Sequence, residues 1–369
     1  MIDIKKIIMQ KSSLESWLSL ALTERVGVMT MLKLISYLGS VDAVLAQNLT
    51  TLERYTNKTV AKLIYEKSSK ELVEKSLEWV NAKNNRYIIT IEDSLYPAEL
   101  KEISDPPLVL YLEGNISLLQ NRKIAIVGTR HPTKQGAENA VNFARDLANN
   151  GLTVVSGMAL GIDKYVHYGA LQSKYSTIGV IGTGLDIRYP KSNNELYSKV
   201  LEHGLLISEF ALGIAPLAGN FPRRNRIVAG LSLGCLVIES SIDGGSMITA
   251  NFAADMGREV MAIPGSIYNP VAKGCHKLIK SGAKLVENAN DILEELNFFS
   301  HKINDLVSDE VDDPLLDAMG YEPINIDAIC INANMEFSDI CARLLDFELN
   351  GLITNCGNGY YQRIFKHIG

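Results

Sequence analysis

At 369 residues the chain is too long for one ordinary core, and 47% hydrophobic against 21% charged residues make it globular rather than disordered. A net charge of −6 argues against a nucleic-acid partner for the molecule taken as a whole. No stretch approaches the roughly 18 apolar residues of a membrane span. The opening residues, Met1 to Lys6, lack the apolar run of a secretory signal. Five cysteines, an odd number with no C-x-x-C pair, point to a reducing cytoplasm without disulfides or zinc.

Residues 12–80 read as several short helices, with start signals at Ser13 and Asn48 and a stop at Gly39. We assign 1–85 to a small helical domain. A strand at Tyr87–Ile91, a turn at Tyr96-Pro97 and a second strand at Leu108–Leu112 form a connector. From residue 123 the pattern alternates strand and helix: Ile124–Val127, Lys134–Asn149, Thr153–Val155, Asp163–Leu171, then apolar strands near 177, 204, 235 and 259. Continuous apolar strands between helices predict an α/β fold, a parallel Rossmann-like sheet covered on both faces, over 86–295. Residues 289–308 read as a linker. The last segment, 309–369, gives three helices and a hairpin around Asn355–Gly359, the order of a winged helix.

Divided along the chain, the charge is uneven. Residues 121–288 carry 18 Lys+Arg against 12 Asp+Glu, whereas 309–369 carry 3 against 11. A polyanion would be held by the middle segment, not by the tail.

Four segments carry the chemistry, and each follows a strand. Gly128-Thr129-Arg130 is a glycine turn into a helix, suited to anions and with a guanidinium beside it. Ser156-Gly157-Met158-Ala159-Leu160-Gly161-Ile162-Asp163 is a second backbone-lined loop, with Asp163 placed to cap the next helix. Phe221-Pro222-Arg223-Arg224-Asn225-Arg226 puts three arginines beside an aromatic ring, a combination that neutralises phosphates and stacks a base. Gly244-Gly245-Ser246, followed by Thr249, is another glycine turn opening a helix. The G-x-G-x-x-G dinucleotide pattern is missing, and no cofactor is expected.

These motifs in this order resemble the DprA/Smf family of DNA-processing proteins, as do Gly182–Asp186, Tyr189-Pro190, Ile263–Ser266 and Gly274-Cys275-His276. The resemblance spans about residues 90–288. More loosely, the helical segment resembles the family's sterile-alpha-motif-like domain and the tail its winged helix. It implies a non-catalytic, cytoplasmic single-stranded DNA binder that loads the RecA recombinase during natural transformation and forms a homodimer. It places Arg130, Ser156, Gly157, Phe221, Arg223, Arg224, Asn225, Arg226, Ser246 and Thr249 at the DNA. Ala218 stands where family members often carry Lys, so either one phosphate contact is missing or Arg223 replaces it. For the dimer, Val260–Val271 is weakly charged and apolar, and reads equally well as sheet core.

Two other readings compete. Nucleotide phosphoribohydrolases share this fold class, and Glu239 with Gly244-Gly245 partly echoes their catalytic motif, although Ser241–Ser246 departs from it. His276 is a candidate base, and capping or packing fits it better. The winged helix, at −8, reads as a protein-contact module rather than a duplex-DNA reader.

Overall fold

The computed structural model describes residues 12–298, 313–320, 322–333, 335–350, 352–357 and 359–364. Six short helices open it: α1 (Leu14–Ala21), α2 (Val28–Leu38), α3 (Val41–Leu45), α4 (Leu49–Tyr55), α5 (Lys58–Tyr65) and α6 (Lys70–Asn81). Ser13 and Asn48 cap α1 and α4 with their side chains, and Gly39 ends α2 at φ 98°. Their apolar faces share one core with a face of the sheet that follows. The contact is anchored where the Trp79 and Tyr111 rings meet edge to face at 6.0 Å, with Ser76 Oγ 3.0 Å from the Tyr111 hydroxyl.

The sheet begins with β1 (Arg86–Thr90), a single turn α7 (Ala98–Lys101) and β2 (Val109–Gly114). Then β3 (Lys123–Val127), α8 (Lys134–Asn149), β4 (Thr153–Ser156), α9 (Ile162–Ala170), β5 (Thr177–Val180), α10 (Asn194–His203) and β6 (Leu205–Ser208) alternate. The chain returns through α11 (Asn220–Gly230) to β7 (Gly234–Val237), α12 (Gly245–Asp255), β8 (Glu259–Ala262), α13 (Lys273–Lys280), β9 (Lys284–Leu285) and α14 (Ala289–Glu295). Nine strands run in the order β1-β2-β6-β5-β4-β3-β7-β8-β9. β1, β2 and β6 pair antiparallel, and every pairing from β6 to β9 is parallel. From β3 the chain winds one way to β6 and then crosses to β7 on the other side. Between the paired strands β3 and β7 the winding reverses, and this switch point opens a crevice at the carboxyl ends of the strands. A second core on the opposite face packs Ile124, Ile126, Val154 and Leu236 under α8, α9 and α14.

The expected linker is corrected in its first half. Residues 289–295 form α14, closed by a capping box in which Asn288 and Asp291 exchange bonds with each other's backbone. Ile292, Leu293 and Leu296 are buried in the second core. Residues 299–308 lie outside the described residues.

A winged helix ends the described chain: α15 (Pro314–Met319), β10 (Ile324–Asn325), α16 (Ile326–Ala333), α17 (Phe337–Leu349), β11 (Ile353–Gly357) and β12 (Tyr360–Arg363). It has a core of its own built on Leu315, Ile329, Ile340, Leu344 and Ile353. Its hairpin meets the sheet domain at Lys134, whose Nζ donates to Thr354 Oγ1 and to the Asn355 carbonyl. Among the described residues, no helix is long and apolar enough to cross a membrane.

Candidate nucleic-acid interface

At the crevice between β3 and β7 lies a cleft of about 670 Å³. Its walls come from four segments: 127–131 after β3, 157–163 after β4, the α11 face bearing Phe221, Arg224 and Asn225, and 244–249 at the start of α12. Glycine turns that expose backbone N–H groups at helix starts suit an anion.

Two of these segments interlock. Ile162 N–H donates to the Thr129 carbonyl at 3.0 Å, and Thr129 N–H to the Glu239 carbonyl at 2.7 Å. Gly161 has φ +75°, and a Cβ there would lie 2.3 Å from the Thr129 carbonyl oxygen. Only glycine allows the 157–163 loop to close against the 128–130 turn. A Cβ on Gly157 would lie 2.6 Å from the Arg224 guanidinium and 2.7 Å from the Asp163 carboxylate, so this glycine leaves room for both charges.

Arg224 reaches in from α11 and is buried, donating to the carbonyls of Gly157 and Val180, while its Nε donates to Asn225 Oδ1 at 3.0 Å. Burial pulls its guanidinium below the ordinary range, and the nearby Asp163 opposes that pull. Asp163 does not cap its own helix, as its position suggested. Its carboxylate turns back and accepts the N–H groups of Gly157 at 3.1 Å and Ala159 at 3.4 Å. Burial raises its carboxyl above the usual range, against the lowering effect of Arg224 and these donors.

Under the same loop, His167 is completely buried, and burial followed by the Arg224 charge lowers its pKa to about 3. Thr177 Oγ1 donates to the Val154 carbonyl at 2.8 Å, which spends its one proton. The 2.8 Å contact between Thr177 Oγ1 and His167 Nδ1 therefore has the histidine as donor. Nε2 is left to accept the Met158 N–H at 3.3 Å.

The residues expected at the DNA divide into three groups. Arg130, Gly157, Phe221, Arg224, Asn225, Ser246 and Thr249 converge on the cleft. Of these, Arg130 is exposed and has no ion-pair or hydrogen-bond partner among the described residues. Ser246 Oγ donates to Ser240 Oγ at 2.8 Å. Ser156 lies below the floor, fully buried, its hydroxyl donating to the Ile126 carbonyl at 2.7 Å. Arg223 and Arg226 lie on another face of α11. Both pair with the buried Glu209, Arg223 at 3.2 Å, and Arg226 also meets Asp105 at 3.4 Å. The grouping of Arg226 with Arg130 and Arg224 in one groove is thus corrected. Arg226 is fixed inside the protein, where burial raises the Glu209 carboxyl and the two arginines lower it. Arg223 points to Glu209, away from position 218, where Ala218 lines the cleft.

Tyr189 was not among the expected site residues. It lines the cleft, its ring 5.5 Å from that of Phe221 at 37°. An exposed aromatic next to proline after a glycine-rich run is the signal that marks it. Glu239, the residue behind the hydrolase reading, is committed elsewhere: Thr133 donates to it from N at 2.9 Å and from Oγ1 at 2.6 Å. His276 Nε2 lies 2.9 Å from the Gly265 carbonyl and ties that loop to α13.

Fold and cleft together define a Rossmann-like protein with a crevice lined by glycine turns at its topological switch point. The family model described as "DNA recombination-mediator protein A" matches residues 87–297, and that of the "DprA winged helix domain" matches 305–359. Protein Smf of Escherichia coli K12 is 38% identical over 300 residues, covering 78% of this chain and 80% of the relative. The X-ray structure of DNA processing protein A from Streptococcus pneumoniae superimposes with TM-score 0.69 at 36% identity, over 77% of this chain and 99% of that one. DNA processing protein A from Helicobacter pylori, solved for its single-stranded DNA binding mode, gives TM-score 0.53 at 31% identity, over 58% and 97%. The chain belongs to the DprA/Smf family of DNA-processing proteins.

Because His167 stays neutral in the fold down to about pH 3, while an unfolded histidine takes its proton near 6.5, its contribution to stability is complete above about pH 6.5 and is lost as the pH falls below it. Urea unfolding at pH 7 and pH 5 should show the wild type losing about 2 kcal/mol more between the two than His167→Gln. Equal losses would mean that His167 is protonated in the folded protein.

Proposed function

We propose that this cleft binds single-stranded DNA and that the protein hands the strand to the RecA recombinase without catalysing a reaction. The observation that carries the reading is the convergence, at one crevice, of glycine turns, the unpaired Arg130 and the Phe221–Tyr189 ring pair. Backbone amides and a free guanidinium suit phosphates, and a half-open aromatic pair suits an unpaired base, which duplex DNA does not offer. The relative from Helicobacter pylori that is described by its single-stranded DNA binding mode supports the same polymer. The RecA step is supported by the family's description as a recombination mediator. A reading without catalysis fits the commitment of Glu239 to Thr133. It also fits the burial of His167 with its ring bonded on both sides.

In this reading the chain divides into a helical unit over 1–85, the DNA-binding core over 86–295 and the winged helix over 309–369. The protein is a cytoplasmic homodimer. Within the stretch offered for the dimer, Met261 and Ala262 are sheet core, while Ile267 and Tyr268 project from the surface, Tyr268 at 86% exposure. Light scattering should give twice the chain mass, and Tyr268→Glu should halve it. A wild type of single-chain mass at every concentration, with and without DNA, would remove the dimer.

The arginines give the sharpest test. Arg130→Ala should weaken binding to labelled oligothymidylate and reduce the slope of log K against log salt by about 0.7, the loss of one phosphate contact. Arg226→Ala should leave that slope unchanged and instead cost about 3–5 kcal/mol of folding stability, since it takes from the buried Glu209 its buried partner and leaves only the half-exposed Arg223. If Arg226→Ala lowers the slope and Arg130→Ala does not, the assignment of the two residues is reversed.

The acidic winged helix gains nothing on a polyanion, and its departure frees Lys134. Truncation before residue 309 should therefore leave single-strand affinity equal or slightly tighter, most clearly at low salt. A folded truncation that binds about tenfold more weakly would place the winged helix in the DNA site.

A further inference from the structure

In a winged helix, the helix before the hairpin is the one available to a partner, and here α17 is built unlike a DNA reader. Phe337, Cys341, Leu345 and Leu349 follow one another at four-residue spacing and all lie on its exposed side. Phe337 is 55%, Leu345 60% and Leu349 79% exposed, and Ile331 of the neighbouring α16 is 79% exposed. Scattered exposed leucines are ordinary, but a continuous apolar row along one helix marks an interaction surface. The row is bordered by acids, with Glu336, Asp339, Asp346 and Glu348 on the same helix and its cap. Both described arginines of this unit are already paired within it, Arg343 with Asp313 and Arg363 with Asp317 at 3.1 Å. No described cation is left on this face to meet a phosphate.

We propose that α17 is a docking site for a basic amphipathic helix of a protein partner. The apolar row takes the partner's leucine-like face, and the acidic border pairs with its flanking lysines and arginines. A helix lying along such a row buries its own apolar face in exchange, the recognition mode of amphipathic helices in hydrophobic grooves. Charge decides against a second copy of the same unit, because residues 309–369 carry 11 acidic residues against 3 basic ones and would repel themselves. It decides against DNA for the same reason. The inference does not depend on what the core cleft binds.

The probe is a fluorescein-labelled amphipathic helical peptide made only of leucine and lysine, titrated with the full chain and followed by anisotropy. A counterpart with glutamate in place of lysine keeps the same apolar face. The lysine peptide should bind, more weakly at high salt, and the glutamate peptide should not. The double variant Leu345→Gln/Leu349→Gln should bind the lysine peptide at least about tenfold more weakly. Both positions are on the surface, so its melting temperature and its affinity for oligothymidylate should stay at the wild-type values. Unchanged peptide affinity in the double variant would reduce the effect to charge attraction and overturn the docking site. Equal binding of the glutamate peptide would overturn the basic partner. If the wild type self-associates and the double variant does not, the occupant is a second copy. If the double variant loses affinity for duplex DNA, it is nucleic acid. Either result replaces the proposal.

Discussion

The guanidinium of Arg224 is buried at the point where three elements of the cleft meet, and their arrangement depends on how it is satisfied. It is carried by α11, bonds the carbonyl after β4 and the carbonyl at the end of β5, and lies beside Asp163 on α9. An isolated charge taken from water costs several kcal/mol, so the fold must supply acceptors and a counter-charge together. Gly157 makes this possible, since any larger residue would occupy the space between the two charges. Asp163 then has capacity left for two backbone N–H groups of the loop, so the same carboxylate whose charge favours the buried Arg224 also shapes the floor of the crevice. The price is a cleft whose most central cation is largely spent internally, leaving Arg130 at the rim as the exposed positive charge.

The three arginines show how far sequence could be read here. As a string, Arg223-Arg224-Asn225-Arg226 beside Phe221 looks like a single basic surface. Placed on a helix at about 100° per residue, 224 and 226 diverge by about 200° and cannot face the same ligand. The sequence held that information once the segment was taken as helical. What it did not hold was the pairing with Glu209, just past the end of β6 and on a separate element, whose buried carboxylate draws Arg226 and Arg223 to the other side. Ser156 fails in the same way. A serine at a strand end looks available to a ligand, but its hydroxyl is claimed by the neighbouring strand β3.

The fold was more legible than the site because its signals are local. Short continuous apolar runs such as Ile124–Val127 and Cys235–Val237, bounded by glycine turns and alternating with helices, read as parallel strands covered on both faces. Glycine turns after each strand then fix where a ligand lies, whichever ligand it is. The misread segment, 289–295, carries three acids in seven residues, and its polarity hides the apolar pair Ile292-Leu293 that docks it on the sheet. Its capping box is a helix-start signal, but Asn and Asp at those positions also read as loop.

Charge separates the two ends of the molecule as packing does not. The core sets the exposed Arg130 at the rim of a crevice lined by glycine turns, while the winged helix pairs its two described arginines within itself and faces solvent with carboxylates around an apolar row. The units nonetheless touch at Lys134, four residues past Arg130, where the hairpin takes up a core cation. An acidic unit seated there lowers the positive potential at the rim of the cleft without occupying it, and the effect fades over about a Debye length, roughly 10 Å at 0.1 M salt. The same placement keeps a strand from running onto the winged helix, because each phosphate beyond the rim would meet carboxylates rather than amides. On the proposed reading the polymer is thereby confined to the core, and α17 is left to a protein partner.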